Sequence, residues 1–158
     1  MSTSKKIIGI DLDDTLISEY SNGYDYSSGY YPKQSVKPKF KLVGGVKKFL
    51  PKIYKKYDFH IITARSDMEW TKQVIARLEK RLKIKISGLT LTYGKTKEDE
   101  VKNTNVLTMI DDDYDNIKNC DRKVILFTNY SKSRSLPSNV IECQSWKDIY
   151  EALECKFG

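Results

Sequence analysis

Closely spaced aspartates follow a short apolar run near the start of the sequence. In IIGIDLDDTL, the run IIGI leads directly into Asp11, Asp13 and Asp14. Side chains alternate along a strand, so Asp11 and Asp13 are expected on one side of the chain while Leu12 turns back to the core. Carboxylates paired at a strand end form a hard-oxygen site of the kind that Mg²⁺ binds together with water and substrate phosphate. The alternative interpretation is a strand-ending turn capped by Asp14.

A second acidic cluster repeats this arrangement. The segment VLTMIDDDYDNI carries Asp111, Asp112 and Asp113 after another apolar run. Three adjacent carboxylates repel one another, and a divalent cation shared with the first cluster would offset that repulsion. Asp113 or Asp115 would instead serve as the cap of the following helix. Only one or two of these acids are therefore expected to be functional.

Two further segments supply groups suited to binding phosphate. FHIITARSD places Thr63 at the end of an apolar run, where its hydroxyl and backbone N–H can face a phosphate, while Ser66 or Asp67 caps the next helix. YGKTKEDEVK places Lys95 and Lys97 at the start of a short helix, where an ammonium would neutralise both phosphate and the crowded acids. Lysine on a solvated helix surface is the commoner explanation for either residue taken alone.

The elements that must position these residues follow from hydrophobic patterning. Short, β-branched apolar runs predict strands at 6–10, 59–62, 89–92, 106–110 and 124–127. Amphipathic patterns predict helices at 43–54, 67–82, 97–103, 114–119 and 146–154. Alternating strands and helices predict a three-layer α/β fold with a central parallel sheet of about five strands and helices on both faces. Ligands of such sheets bind at the carboxyl ends of the strands.

The segment 19–41 interrupts the alternation directly after the first strand. It is rich in Ser, Gly and Lys and contains Tyr24, Tyr26, Tyr30 and Tyr31. We expect a long loop or small cap at the catalytic edge, with these tyrosines stacking on a base and the lysines contacting phosphates. Tyrosines that simply pack on the domain are the alternative.

Composition narrows the class of protein. The 158 residues are 39% hydrophobic and 31% charged, which predicts one globular domain spanning 1–158. Three cysteines without metal-binding spacing argue against a disulfide framework or a zinc site, and no apolar segment is long enough to span a bilayer. A cytoplasmic protein with no membrane partner is expected. The net charge of +7 favours phosphate-bearing partners, unless it reflects only a lysine-rich solvated surface.

Together, the four segments resemble the motifs of the haloacid dehalogenase-like superfamily, in the order found in that superfamily. IDLDDTL is similar to the first motif, ITAR to the second, the lysine of TKEDEVK to the third and IDDDYDNI to the acidic fourth. The resemblance implies a Rossmann-like phosphatase fold that uses Mg²⁺ as cofactor.

The resemblance also implies a role for each matching residue. Asp11 would be the nucleophile that becomes phosphorylated, Asp13 the general acid and base, Thr63 the phosphate-binding hydroxyl and Lys97 the charge-neutralising lysine. Lys95 is the alternative to Lys97. Substrate would contact Thr63, Ala64, Arg65 and Lys95. The position of segment 19–41 separately predicts contacts with Tyr24, Tyr26, Tyr30 and Tyr31. The metal would be held by Asp11, the main-chain carbonyl of Asp13 and Asp112, with Asp111 nearby.

Two departures from the common pattern bear on the substrate. Many members have Gly where Asp14 stands, and a Gly-Asp pair where Asp111 and Asp112 stand. The Asp-Asp form is similar to that of deoxyribonucleotidase-type members and polynucleotide-end phosphatases. We therefore expect a phosphorylated small molecule as substrate, in particular a nucleoside monophosphate, with 3′-phosphorylated nucleic-acid ends as the alternative.

Two more distant functions complete the set of alternatives. DLDDTL also resembles the motif of small protein phosphatases that act on polymerase tails, although we expect the later segments to fit that group poorly. A catalytically silent binding module would have lost a motif residue, and none is missing.

Overall fold

A computed structural model describes residues 5–19, 37–128 and 135–158 of the chain. Its strands are β1 (Lys6–Ile10), β2 (Ile17–Glu19), β3 (Phe40–Leu42), β4 (Tyr57–Thr63), β5 (Gly88–Leu91), β6 (Met109–Asp111), β7 (Val124–Phe127) and β8 (Val140–Cys143). Its helices are α1 (Val46–Tyr54), α2 (Met68–Leu82), α3 (Glu98–Thr104), α4 (Tyr114–Ile117) and α5 (Trp146–Lys156).

Six of the described strands form one parallel sheet in the order β5-β4-β1-β6-β7-β8. From β1 the chain moves outward through β4 to β5, then returns to the other side of β1 with β6. The strand order therefore reverses between β1 and β6, which is where open α/β sheets place their ligands. The predicted α/β fold with a central parallel sheet is confirmed.

The strands are apolar because helices cover both faces of the sheet. Every residue of β7 is buried, and hydrophobic clusters lie on either side of the sheet. On α2, the apolar stripe that includes Trp70, Val74 and Leu78 is buried, each such side chain contributing about 1.5–3 kcal/mol by leaving water. Asp67 caps this helix by accepting a hydrogen bond from the Trp70 backbone N–H, 3.1 Å away.

Two features of the fold were not predicted. The sheet has a sixth strand, β8, whose four residues include the polar Glu142 and lie at the sheet edge, so they lack a continuous apolar signal. The ends of the segment 19–41 also belong to strands, since Glu19 ends β2 and residues 40 and 41 lie in β3. Antiparallel β2 and β3 pair Ile17 with Leu42, Ser18 with Lys41 and Glu19 with Phe40, forming a hairpin after β1. None of the helices in the described ranges is both long and apolar enough to cross a bilayer.

Candidate active site

The two acidic clusters meet at the carboxyl ends of neighbouring strands. β1 and β6 pair in parallel with Ile10 opposite Ile110, and the backbone N–H of Asp11 donates to the carbonyl of Ile110 over 2.9 Å. This register brings Asp11 next to Asp111, and both residues are buried. Residues a hundred positions apart thus converge at the point where the strand order reverses.

Lys97 lies between these two aspartates. It precedes the first turn of α3, and its Nζ is 2.7 Å from Asp11 Oδ1 and 2.6 Å from Asp111 Oδ2. The side chain is fully buried. Burial alone would lower the pKa of the ammonium, but the charges of Asp11 and Asp111 outweigh burial and raise the pKa above its ordinary value. Lys97 is therefore a permanent positive charge. Lys95, the alternative, is exposed.

The carboxyl groups around Lys97 outnumber it. Oxygens of Asp11, Asp111 and Asp112 lie within 4.8 Å of one another, so three acidic side chains crowd around one ammonium. Burial, followed by contact with Asp11, raises the pKa of Asp112 to about 8. Burial and the charge of Asp11 also raise the pKa of Asp111. Hard oxygen ligands crowded in this way fit Mg²⁺, which would favour their ionised forms.

The aspartates of the second cluster differ in what they contact. Asp111 Oδ1 accepts a hydrogen bond from the backbone N–H of Asp113 at 2.9 Å, so both its oxygens have protein donors. Asp112 is partly exposed and lines a cleft together with Asp11. Asp113 caps α4 by accepting from the backbone N–H of Asp115 at 3.0 Å. Asp112 is thus better placed than Asp111 or Asp113 to bind a metal directly.

Thr15, which was not among the predicted site residues, joins the two clusters. Its Oγ1 is 3.2 Å from Asp11 Oδ2 and 3.3 Å from Asp112 Oδ1. Its carbonyl accepts a hydrogen bond from the indole N–H of the buried Trp146, 3.0 Å away, which anchors this turn to α5. Thr15 belongs to the quoted DLDDTL segment, so its nearness to the aspartates was visible, although its partners were not.

Asp13 and Arg65 form a two-pronged ion pair at the rim of the cleft. Arg65 Nε is 2.8 Å from Asp13 Oδ2, and Arg65 Nη2 is 2.7 Å from Asp13 Oδ1. Arg65 Nη2 also donates to Glu19 Oε2 over 2.8 Å. Burial would lower the pKa of Arg65, but bonding to Asp13 and Glu19 raises it instead. Arg65, predicted to bind substrate, thus faces two carboxylates, and nothing in the local sequence pointed to Glu19.

The turn after β1 has an unusual backbone. Asp14 has a φ of 62°, in the left-handed region that Gly adopts without strain and that Asp tolerates better than most residues. Its backbone N–H donates to the carbonyl of Ile17 at 2.7 Å, closing the turn that leads into β2. Gly and Asp are both suited to this backbone geometry.

The cleft beside the two acidic clusters has a volume of about 440 Å³. Thr63 and Ala64, both predicted to contact the substrate, line it. Thr63 ends β4 there, and its Oγ1 accepts the backbone N–H of Arg65 at 3.3 Å. Ala64 is exposed at the same edge. Among the described residues lining the cleft, six are aspartates and Arg65 is the one cation. The four predicted substrate tyrosines lie outside the described residues: Tyr24, Tyr26, Tyr30 and Tyr31.

The fold and this arrangement of aspartates and lysine define a domain of the haloacid dehalogenase-like class. A solved structure agrees: a haloacid dehalogenase-like family hydrolase from Xanthomonas campestris matches with a TM-score of 0.63 over 97% of this chain and 96% of that chain. The two sequences are 12% identical, so this likeness concerns the fold alone. No curated protein matches the sequence.

The chain belongs to the NLI interacting factor-like phosphatase family, whose model matches residues 6–154. The resemblance to haloacid dehalogenase-like phosphatases is confirmed, and the protein is a phosphatase. Because the match continues through the later segments to residue 154, the expectation that these segments fit the protein-phosphatase-like group poorly was wrong.

Proposed function

We propose that the protein is a Mg²⁺-dependent phosphomonoesterase that works through a phosphorylated Asp11. The observation that carries the proposal is the buried contact of Lys97 Nζ with both Asp11 and Asp111, beside the partly exposed Asp112. A lysine between two buried carboxylates places a positive charge beside Asp11, where it would offset the negative charge of an incoming phosphate. One residue from each of the four motifs contributes to this site, which argues against a catalytically silent module: Asp11, Thr63, Lys97 and Asp112.

A metal completes the charge balance of the site. Mg²⁺ held by Asp11, Asp112 and the main-chain carbonyl of Asp13 would supply positive charge to the oxygens of the transferring phosphoryl group. Lys97 adds a second, permanent positive charge on the protein side. The Thr63 hydroxyl and the backbone that follows it orient the phosphate at the end of β4.

Two half-reactions follow from this placement. In the first, an oxygen of Asp11 forms a bond to phosphorus while the ester P–O bond breaks, and Asp13 gives its proton to the departing oxygen. In the second, water attacks the phosphorus of the aspartyl phosphate while Asp13, now ionised, takes a proton from that water. Inorganic phosphate leaves, and Asp11 is restored as a carboxylate.

For the substrate, we propose nucleoside monophosphates. The motif resemblance to nucleotidases, the net charge of +7 and the tyrosines of segment 19–41 support this class. No aromatic ring is among the described residues that line the cleft, so a base would depend on those tyrosines for stacking. The odd number of cysteines, including buried Cys120 and Cys143, supports a reducing compartment such as the cytoplasm.

A second candidate substrate is a phosphoprotein. The family match favours it, because DLDDTL also resembles the motif of small protein phosphatases. A cleft with an exposed rim would also admit a phosphorylated side chain on an extended peptide.

A substrate panel in Mg²⁺ tests these proposals. We expect hydrolysis of an activated aryl phosphate, faster hydrolysis of nucleoside 5′- or 3′-monophosphates, and no turnover by Asp11→Asn. Preference for a phosphoserine peptide would replace the nucleotide assignment by the phosphoprotein one. Preference for a 3′-phosphorylated oligonucleotide, with steep salt dependence, would replace it by action on nucleic-acid ends. Wild-type rates in Asp11→Asn would refute the mechanism itself.

A further inference from the structure

Glu19, the last residue of β2, connects the hairpin to the catalytic edge through its carboxylate. Its Oε2 accepts from Arg65 Nη2 at 2.8 Å, and its Oε1 accepts from the indole N–H of Trp70 at 2.8 Å. The Glu19 side chain is 5% exposed. These two donors help to hold the deeply buried carboxylate in one orientation.

Arg65 links the carboxylate of Glu19 to that of Asp13. Its Nη2 donates both to Glu19 and to Asp13 Oδ1, while its Nε donates to Asp13 Oδ2. A guanidinium is planar and binds a carboxylate through two parallel hydrogen bonds. Contact with Glu19 fixes the plane of the Arg65 guanidinium, and that plane sets the orientation of the Asp13 carboxylate. Three side chains from three separate segments thus form a chain of direct contacts ending at Asp13.

Asp13 is well exposed, and Arg65 is the side chain that the described residues bring into hydrogen bonding with it. Its side chain is 44% exposed, whereas those of Arg65 and Glu19 are 9% and 5% exposed. General acid catalysis depends on placing one oxygen next to the departing atom, and a displacement of about 1 Å can cost on the order of a hundredfold in rate. A buried ion pair adds little net stability compared with apolar residues of similar size, so stability alone does not explain why Glu19 is charged.

We propose that Glu19 is a positioning residue that aims the carboxyl group of Asp13 at the leaving oxygen, acting through Arg65. This inference rests on the proposed phosphatase mechanism and deepens it. Arg65 then serves to orient the acid, and its guanidinium is not a phosphate ligand. Esters with poor leaving groups should depend on Glu19 most, because their departing oxygen must receive a proton as the P–O bond breaks.

The test compares Glu19→Gln with wild type on phosphate esters of rising leaving-group pKa, from dinitrophenyl through phenyl to alkyl phosphate, in saturating Mg²⁺. Glutamine keeps the shape and the acceptor for Trp70 but loses the charge that holds Arg65. We expect kcat/KM to fall about ten- to a hundredfold for phenyl and alkyl phosphate and less than about twofold for the dinitrophenyl ester. KM should change little for any ester.

Ser18→Ala is the matched control, because Ser18 is the adjacent residue of β2 and its hydroxyl contacts Asp14 at 3.3 Å instead of Arg65. It should leave the leaving-group dependence unchanged. If Glu19→Gln does not fold, as judged by circular dichroism, Glu19→Asp gives the same comparison, since it keeps the charge but draws it away from Arg65.

The outcomes separate this inference from the function on which it rests. An equal loss of kcat/KM for every ester, or none, would overturn the positioning role while leaving the phosphatase mechanism intact. A rise in KM shared by all esters would also overturn it, because Glu19 would then present Arg65 to the phosphate. If the wild type hydrolyses no ester, the proposed function fails, and the positioning role fails with it.

Discussion

Lys97 and Asp111 form an ion pair from which water is excluded, with 2.6 Å between Nζ and Oδ2 and no exposed side-chain surface on either residue. Such pairs contribute little net stability, because desolvating both charges costs about as much as their attraction returns. Removing one partner is expensive, since the other charge is left buried alone. The pair is therefore better explained by the charge that the site must hold than by the stability of the fold.

Lys97→Met is expected to destabilise the protein by about 3–5 kcal/mol, because Asp11 and Asp111 lose their shared cation. Lys95→Met, which changes an exposed side chain three residues from α3, should alter the free energy of unfolding by less than about 0.5 kcal/mol. Urea denaturation of both variants in Mg²⁺ measures the difference. Equal effects in the two variants would contradict the buried position of Lys97.

Asp11→Asn is expected to abolish turnover and phosphoenzyme formation while keeping the fold. An amide is too weak a nucleophile to attack phosphorus, but its oxygen can still accept the hydrogen bond from Lys97 Nζ. Mass spectrometry after rapid quenching with an aryl phosphate should find an added phosphate on the wild type alone. A phosphorylated Asp11→Asn protein would place the nucleophile elsewhere.

Mg²⁺ is expected to raise the melting temperature of the wild type, because it binds the folded site and relieves the repulsion among Asp11, Asp111 and Asp112. Asp112→Ala should raise the Mg²⁺ concentration required for both stabilisation and activity. Asp113→Ala should instead lower the stability by about 1 kcal/mol through loss of the α4 cap, with the Mg²⁺ requirement unchanged.

Three results would contradict this assignment. Full activity in excess chelator would rule out the metal. A larger Mg²⁺ shift for Asp113→Ala than for Asp112→Ala would exchange their roles. A larger shift for Asp111→Ala, measured on a variant that remains folded, would make Asp111 the direct ligand.

His60 is expected to make stability depend on pH below neutrality. Its ring packs against Gly88 in the neighbouring strand and its Nε2 is 2.7 Å from Thr90 Oγ1. Burial lowers the pKa of His60 from its ordinary value of 6.5. As the pH falls through that value, the unfolded chain takes up a proton before the folded one, so the stability that the neutral ring contributes is lost.

This pH dependence is measured as the free energy of unfolding at pH 7.5 and pH 5.5 with Mg²⁺ present. His60→Gln keeps a hydrogen-bonding group for Thr90 but does not titrate, so the difference between the two pH values should be smaller than in the wild type. If the two pH values give the same difference in unfolding free energy for His60→Gln as for the wild type, His60 does not cause the pH dependence.

The sequence by itself determined the fold class and the order of the motifs, since both depend on local patterns. Apolar β-branched runs identified every strand of the six-stranded parallel sheet except β8. The acids that follow two of these runs marked the functional edge of the sheet. Lys97 could be preferred over Lys95 only by resemblance. Its burial between Asp11 and Asp111 then followed from the tertiary structure, which brings together side chains 86 and 14 residues apart.

Tertiary structure alone decided which groups face each other. Arg65 lies 52 residues from Asp13 and 46 from Glu19, and no local pattern links the three. Asp13 follows β1 and Arg65 follows β4, and these two strands are neighbours in the sheet, while Glu19 reaches Arg65 from the end of β2. Likewise, Asp111 and Asp112 are identical in type and adjacent in sequence, but the strand turns one inward to Lys97 and leaves the other at the cleft. The sequence therefore showed which acidic and basic groups were available, whereas the chain topology decided which of them contact one another.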